Sequence, residues 1–261
     1  MRLQDKSIIV TGSTTGIGKA IATRFIAEGA KVLLHGRDQE RGQEVSDELG
    51  RNAAFHADDL IDPGAAPRLV AAALKAFGRI DGIVNNAAYV VRSDITSTSP
   101  EFFDRVMAIN VRAPLLLVKA ALEELAKTKG AVLNIGSVNA HVGEGNLLDY
   151  AVSKGALRTL SRNLGDWLPR THGVRCNHFN VGWTLTENEY HYKIKDGLPA
   201  DWPERVSKKI LPTGALIRPE TIAAAAVFWI GDESRPISAS AVDLEQYAVG
   251  GHVPEGKLME K

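Results

Sequence analysis

The stretch Ser7-Ile8-Ile9-Val10-Thr11-Gly12-Ser13-Thr14-Thr15-Gly16-Ile17-Gly18 joins a short β-branched run to a glycine-rich turn and then to a helical pattern. Ile8, Ile9 and Val10 suit a buried strand, because β-branched side chains pack well on a pleated surface. Beyond the turn, Ile17, Ile21 and Phe25 recur every fourth residue, which puts them on one face of a helix, and Gly29 follows as a C-cap. Glycine permits a tight turn and a close approach of backbone to ligand, while the first N–H groups of a helix and its dipole favour an anion. The segment is therefore predicted to cradle a dinucleotide pyrophosphate through Gly12, Ser13, Thr15, Gly16, Ile17 and Gly18.

Working outward, the same alternation continues. Strands are expected at 32–35, 53–56, 80–86, 131–137, 174–179 and 240–244. Asp62 and Pro63 are expected to open a helix carrying Leu69, Val70, Ala73, Leu74 and Phe77. Residues 100–127 read as one long helix with Pro114 inside it, and Pro219 leads a helix through Ile230. Strands alternating with helices predict an α/β fold: one Rossmann-type doubly wound parallel sheet of about seven strands, with helices on both faces. No linker or internal repeat divides residues 1–261, so a single domain is expected. The 183–216 region lacks clean periodicity and exceeds an ordinary connection, which suggests a substrate lid.

Composition narrows the function. The chain of 261 residues balances 31 basic against 31 acidic side chains, so it lacks the electrostatic footprint of a nucleic-acid or anionic-membrane binder. Hydrophobic residues at 44% supply a sizeable core. Only three consecutive apolar residues occur in the first thirteen, too few for a signal-peptide core, and a cytoplasmic location is expected. Cys176 has no cysteine partner, and the histidines show no metal-ligand spacing, so no metal is expected.

Two side chains carry proton chemistry. Tyr150 and Lys154 are four apart and share a helical face. A phenol titrating near pH ~10 is a poor base until a neighbouring cation stabilises its phenolate, which Lys154 is placed to do. Ser137, at the end of a predicted strand, can steady a substrate oxygen. Pro114 cannot donate to the carbonyl four residues earlier, which belongs to Asn110.

The turn Thr11-Gly12-x-x-x-Gly16-x-Gly18, followed in order by Asn85-Asn86-Ala87-Ala88, Ser137, Tyr150 and Lys154, resembles the short-chain dehydrogenase/reductase family from Ser7 to about Leu244. The resemblance implies an NAD(P)-dependent enzyme acting on CH–OH groups, with Asn110, Ser137, Tyr150 and Lys154 as the catalytic tetrad. It implies a water held by the Asn110 carbonyl that relays protons to Lys154. Asp59, Leu60, Asn86, Ala87, Ala88, Gly182, Thr184 and Thr186 would contact the cofactor together with Tyr150, Lys154 and the glycine turn. Family members read the adenosine ribose at the end of the second strand, where Gly36 and Arg37 replace the acidic residue of NAD users. A guanidinium beside a missing carboxylate favours a 2′-phosphate, so NADP is preferred, with NAD the alternative. Two departures stand out: Ala88 replaces a glycine, and Val181 replaces the proline before Gly182. The family commonly assembles as homotetramers or dimers.

Membership leaves the small-molecule substrate open. Asn139, His141, Glu144, Asn146, Trp183 and Glu187 are the candidate substrate residues. Groups that donate and accept suit a polyhydroxylated ligand, so a sugar, sugar acid or polyol is favoured and a role in carbohydrate metabolism expected. A 3-oxoacyl thioester reductase is the enzymatic alternative, supported by Lys193, Lys195, Lys208 and Lys209. A regulator that senses NADP without chemistry is the non-enzymatic one, although such proteins usually lose the tyrosine or lysine.

Overall fold

The computed structural model describes residues 1–249. Strands β1 (Ser7–Val10), β2 (Lys31–Gly36), β3 (Ala53–Ala57), β4 (Gly82–Asn85), β5 (Ala131–Ile135), β6 (Arg175–Val181) and β7 (Ala241–Leu244) form one sheet in the order β3-β2-β1-β4-β5-β6-β7. Every neighbouring pair is parallel. The order reverses between β1 and β4, which opens a crevice at the carboxyl ends of the strands.

Helices cover both faces. They are α1 (Gly16–Ala27), α2 (Gln39–Leu49), α3 (Ala65–Phe77), α4 (Pro100–Met107), α5 (Ala113–Ala120), α6 (Leu122–Thr128), α7 (Leu148–His172), α8 (Glu187–Lys195) and α9 (Pro219–Ile230). Alternate residues of a strand face opposite sides, and β1 divides accordingly. Ile8 and Val10 join a core with Ile21 and Phe25 of α1 and Ile222 and Val227 of α9. Ile9 joins the opposite core with Leu69 and Ala73 of α3, Leu117 of α5 and Leu168 of α7. Burial on both faces explains why the strands read as apolar runs rather than as alternating ones.

Two helix expectations need correction. The third helix starts at Ala65, not at Asp62–Pro63: Asp62 Oδ1 accepts from Gly64 N–H at 2.9 Å and Asp62 O from Ala65 N–H at 3.1 Å, closing a turn first. The segment 100–127 is three helices. Ser99 caps α4, a π turn spans Ala108–Arg112, and a further break falls at Ala121. Ala113 N–H reaches back to Ala108 O, five residues away. Widening of this kind accommodates a proline one residue later, and the wide turn is centred on Asn110.

Residues 183–216 are more than a loop. They contain α8 and a 3₁₀ turn at Trp202–Glu204, packed around a small core of Trp202, Val206, Leu211 and Leu216. Trp183 stacks on Trp202 with ring centres 5.6 Å apart. These contacts come from turns and aromatic stacking, so no helical or strand period announces them. Among the described residues, no helix is long and apolar enough to cross a membrane.

Candidate active site

The glycine turn is built by close packing. Gly12 has φ +62°, and a Cβ there would meet Ala87 Cα at 2.9 Å; a Cβ at Gly18 would lie 2.2 Å from Gly12 O. Asn86, at the end of β4, donates its amide to Thr11 O at 2.9 Å and Gly12 O at 3.0 Å. Ser13 is fully buried, and its hydroxyl donates inward to Val10 O. It braces the turn rather than facing the crevice. Thr15 is the N-cap of α1, so Gly16, Ile17 and Gly18 form the first turn of the helix. Thr186, the N-cap of α8, closes over this turn, with its methyl 3.3 Å from a Cβ built on Gly16. The bare backbone and helix N-terminus fit a pyrophosphate, because side chains are sterically excluded there.

One bracing residue carried no motif. His35, in β2, is buried; its Nδ1 accepts from Gly12 N–H at 3.2 Å, and its Nε2 faces Asp58 O at 3.2 Å. Burial lowers its pKa to about 4, so the neutral ring holds the turn. Beside it, Arg37 is exposed, and among the described residues nothing pairs with its guanidinium. Asp38 is turned away as the cap of α2, accepting from Arg41 N–H. Thr14 fills the place a side chain at residue 36 would take: a Cβ there would be 2.8 Å from Thr14 Cγ2. Asp59 accepts from Ile61 N–H, shaping the turn after β3, and Leu60 is buried beneath it.

Asn110, Ser137, Tyr150 and Lys154 converge at the carboxyl end of β5. Lys154 is buried and donates to Ile135 O at 2.8 Å. Its Nζ lies 5.4 Å from the centre of the Tyr150 ring. Ser137 sits close enough to the Tyr150 hydroxyl to favour its phenolate. The Asn110 side chain accepts from Tyr89 N–H at 2.7 Å and donates to Ser153 Oγ at 2.9 Å, and Ser153 in turn donates to Tyr150 O at 2.7 Å. Ser153, which no motif pointed out, thus ties the π turn to α7. Burial pushes the Tyr150 phenol up to about 12 and the Lys154 ammonium down to about 8. In the protein by itself, desolvation outweighs the neighbouring lysine.

A family model described as short chain dehydrogenase matches residues 6–195. The chain belongs to the short-chain dehydrogenase family. Mouse (Mus musculus) L-fucose dehydrogenase is 31% identical over 230 residues, covering 87% of this chain and 82% of that protein. Rat (Rattus norvegicus) (3R)-3-hydroxyacyl-CoA dehydrogenase is 32% identical over 265 residues, covering 94% and 96%. The crystal structure of 3-ketoacyl-(acyl-carrier-protein) reductase from Brucella melitensis complexed with NADH superposes with a TM-score of 0.82 at 28% identity, covering 93% of this chain and 97% of that one. The protein is therefore a nicotinamide-dependent oxidoreductase acting on CH–OH groups.

On the substrate side of this short-chain dehydrogenase, the structure separates the candidates. Asn139 donates to Glu144 Oε2 at 2.9 Å, and its N–H donates to Ser137 Oγ at 3.2 Å. Asn146 bridges Glu144 and Arg92 in the amide orientation that satisfies both. His141 turns to Asp243 at 3.0 Å. Trp183 packs on the small core of residues 183–216, donating to Glu189 Oε1 at 2.8 Å under the Lys193 ammonium. Glu187 lines a groove with Gly16, Thr186 and Arg218, on the glycine-turn side. The acids whose charge bears on Tyr150 are Glu189 and Glu144. Glu189 shares the first turn of α8 with the exposed Glu187 but accepts from Trp183 Nε1. Near the cofactor turn, Ala88 is exposed, while Thr184 is buried and donates to Gly182 O at 3.0 Å.

Proposed function

We propose that this chain interconverts a secondary alcohol and a ketone of a neutral polyhydroxylated substrate, a sugar or polyol, using NADP(H), with Tyr150 as the proton-transferring group. One observation carries the reading: the reacting end of the cleft gathers Ser137, Tyr150, Asn139 and two carboxylates, Glu144 and Glu189. Carboxylates with amide neighbours accept hydrogen bonds from substrate hydroxyls and repel anions. They favour a polyol over a sugar acid, and over an acyl chain bearing a carrier phosphate. The fucose dehydrogenase relative is in keeping with this.

Gly12, Gly16, Gly18, Asn86 and Thr186 would hold the cofactor pyrophosphate, and Arg37 its 2′-phosphate. The bound nicotinamide supplies the hydride acceptor or donor. Ser137 holds the substrate oxygen. In the oxidising direction, Tyr150 acts as a phenolate stabilised by the buried Lys154, and its Oη takes the hydroxyl proton to become the phenol. Asn110 keeps α7 in place through Ser153.

The thioester-reductase reading retains support from the rat relative and the Brucella structure. Against it, Lys193 is committed to Trp183 and Glu189, and Arg92 to Asp196 at 2.6 Å. Turnover on a panel of neutral sugars and polyols, their sugar acids and an acetoacetyl thioester tests the proposal. Highest kcat/KM on neutral polyols supports it, and preference for the thioester overturns it. The exposed Phe103, Leu115 and Val152 further support a homo-oligomer built on α4, α5 and α7.

A further inference from the structure

Beneath the end of β5 runs a polar chain that the proton transfer above does not use. His178 of β6 is fully buried and lies in register with Asn134 of β5. Its ring is held on both edges: Nδ1 is 2.9 Å from Ser161 Oγ, and Nε2 is 3.0 Å from Asn180 Oδ1. The Asn180 amide nitrogen donates to Asp243 Oδ1 at 2.7 Å. A carboxylate only accepts, so Asn180 must turn its NH₂ to Asp243 and its carbonyl oxygen to His178. The ring therefore carries its proton on Nε2 and turns Nδ1 to Ser161 Oγ, whose hydroxyl lies between that nitrogen and Leu157 O at 2.7 Å. That hydroxyl oxygen also accepts from Asn134 Nδ2 at 2.8 Å. The half-exposed Asp243 fixes the Asn180 amide and, through it, the proton on His178 Nε2.

The ring sits against the strand end that carries the reaction centre. A Cβ at Gly136 would lie 2.1 Å from His178 Nε2, so the imidazole occupies the space of a side chain there. Gly136 N–H donates to Phe179 O at 2.6 Å. On one side of Gly136, Ile135 O receives the Lys154 ammonium; on the other, Ser137 meets Tyr150.

We propose that His178, locked in its Nε2-protonated tautomer by Asn180 and Asp243, is a positioning residue that sets Ile135–Ser137 and thereby aligns Lys154 and Ser137 on Tyr150. The proposal rests on the reading of Tyr150, Lys154 and Ser137 as the reaction centre. Charged or titratable groups facing the ring are Lys154 and Arg158 of α7 and His141 before it. Burial, and next the Lys154 ammonium, lower the pKa of the ring to about 3, so it works as a neutral spacer.

The test combines nitrogen NMR on histidine-labelled protein with kinetics. In the wild type, the His178 resonances should report a proton on Nε2, and Asp243→Asn should mix the tautomers. His178→Leu should lower kcat about tenfold and shift the alkaline limb of the kcat–pH profile, with cofactor Kd changed less than about twofold. His178→Gln, which restores a donor toward Asn180, should recover most of kcat. A proton on Nδ1 overturns the proposal, as does a folded His178→Leu variant with wild-type kcat and pH profile. If His178→Leu does not fold, the tautomer and the Asp243→Asn profile decide in the same way. If Tyr150→Phe also keeps its turnover, the reaction centre itself is misassigned; a silent His178→Leu beside an inactive Tyr150→Phe refutes only the positioning role.

Discussion

Lys154 stands under the Tyr150 ring with Nζ 5.4 Å from its centre, while its hydrogen bond goes to Ile135 O on the neighbouring strand. A buried ammonium with one carbonyl partner is poorly solvated, and its pKa falls from 10.5 to about 8. The unfolded chain then binds more protons than the folded one between those values, so stability should rise with pH across the window. A shift of this size corresponds to about 3 kcal/mol. Urea unfolding of wild type and Lys154→Met from pH ~7 to ~10.5 checks it: the stability difference should move in favour of wild type as pH rises.

The phenol is shifted the other way. Burial holds Tyr150 protonated up to about 12 in the protein alone, so the difference in ultraviolet pH titration between wild type and Tyr150→Phe should show one late phenolate. Adding oxidised nicotinamide cofactor should bring that ionisation down, because a positive ring favours the phenolate. Tyr150→Phe itself should bind cofactor nearly as the wild type does and lose turnover by about a thousandfold. Retained turnover would remove Tyr150 from its role.

Cofactor preference should follow Arg37 and Thr14 together. Arg37→Ala is expected to raise KM for NADPH about tenfold and leave KM for NADH unchanged, since only the 2′-phosphate loses a charge-assisted partner. Gly36→Asp alone should lose NADPH without gaining NADH, because Thr14 Cγ2 lies 2.8 Å from the new Cβ. Combining it with Thr14→Gly should restore activity with NADH. Steady-state kinetics with both cofactors measures each step.

Gly12→Ala should weaken cofactor binding and lower stability together. The residue has φ +62° and no room beside Ala87. Left-handed strain and overpacking each cost about 1–3 kcal/mol. Calorimetry with and without cofactor should show a lowered Tm and a loss of the ligand-induced rise in Tm.

Much of the candidate site's layout was legible in the sequence because its spacing is local. The glycine turn, Tyr150 with Lys154, and the Pro114 signal beneath Asn110 each rest on spacing within one element, and helix α9 begins at the proline and ends at the isoleucine that its pattern marks. What stayed hidden depends on distant partners. Ser13 looked like a ligand contact until His35 and Val10 claimed its oxygen. Glu189 outranks Glu187 only because α8 turns it toward Trp183 and Tyr150.

The sequence by itself determined the alternating strands and helices, the glycine turn that opens α1 and the placing of Tyr150 and Lys154 on one helix face, because hydrophobic period and helical spacing act over a few residues. Only the tertiary structure decided that residues 183–216 have an aromatic core of their own, that Thr14 fills the place of a missing side chain at Gly36, and that His178 packs against Gly136. Those outcomes depend on which strands lie side by side, and burial then sets the protonation of each group that the sheet brings together.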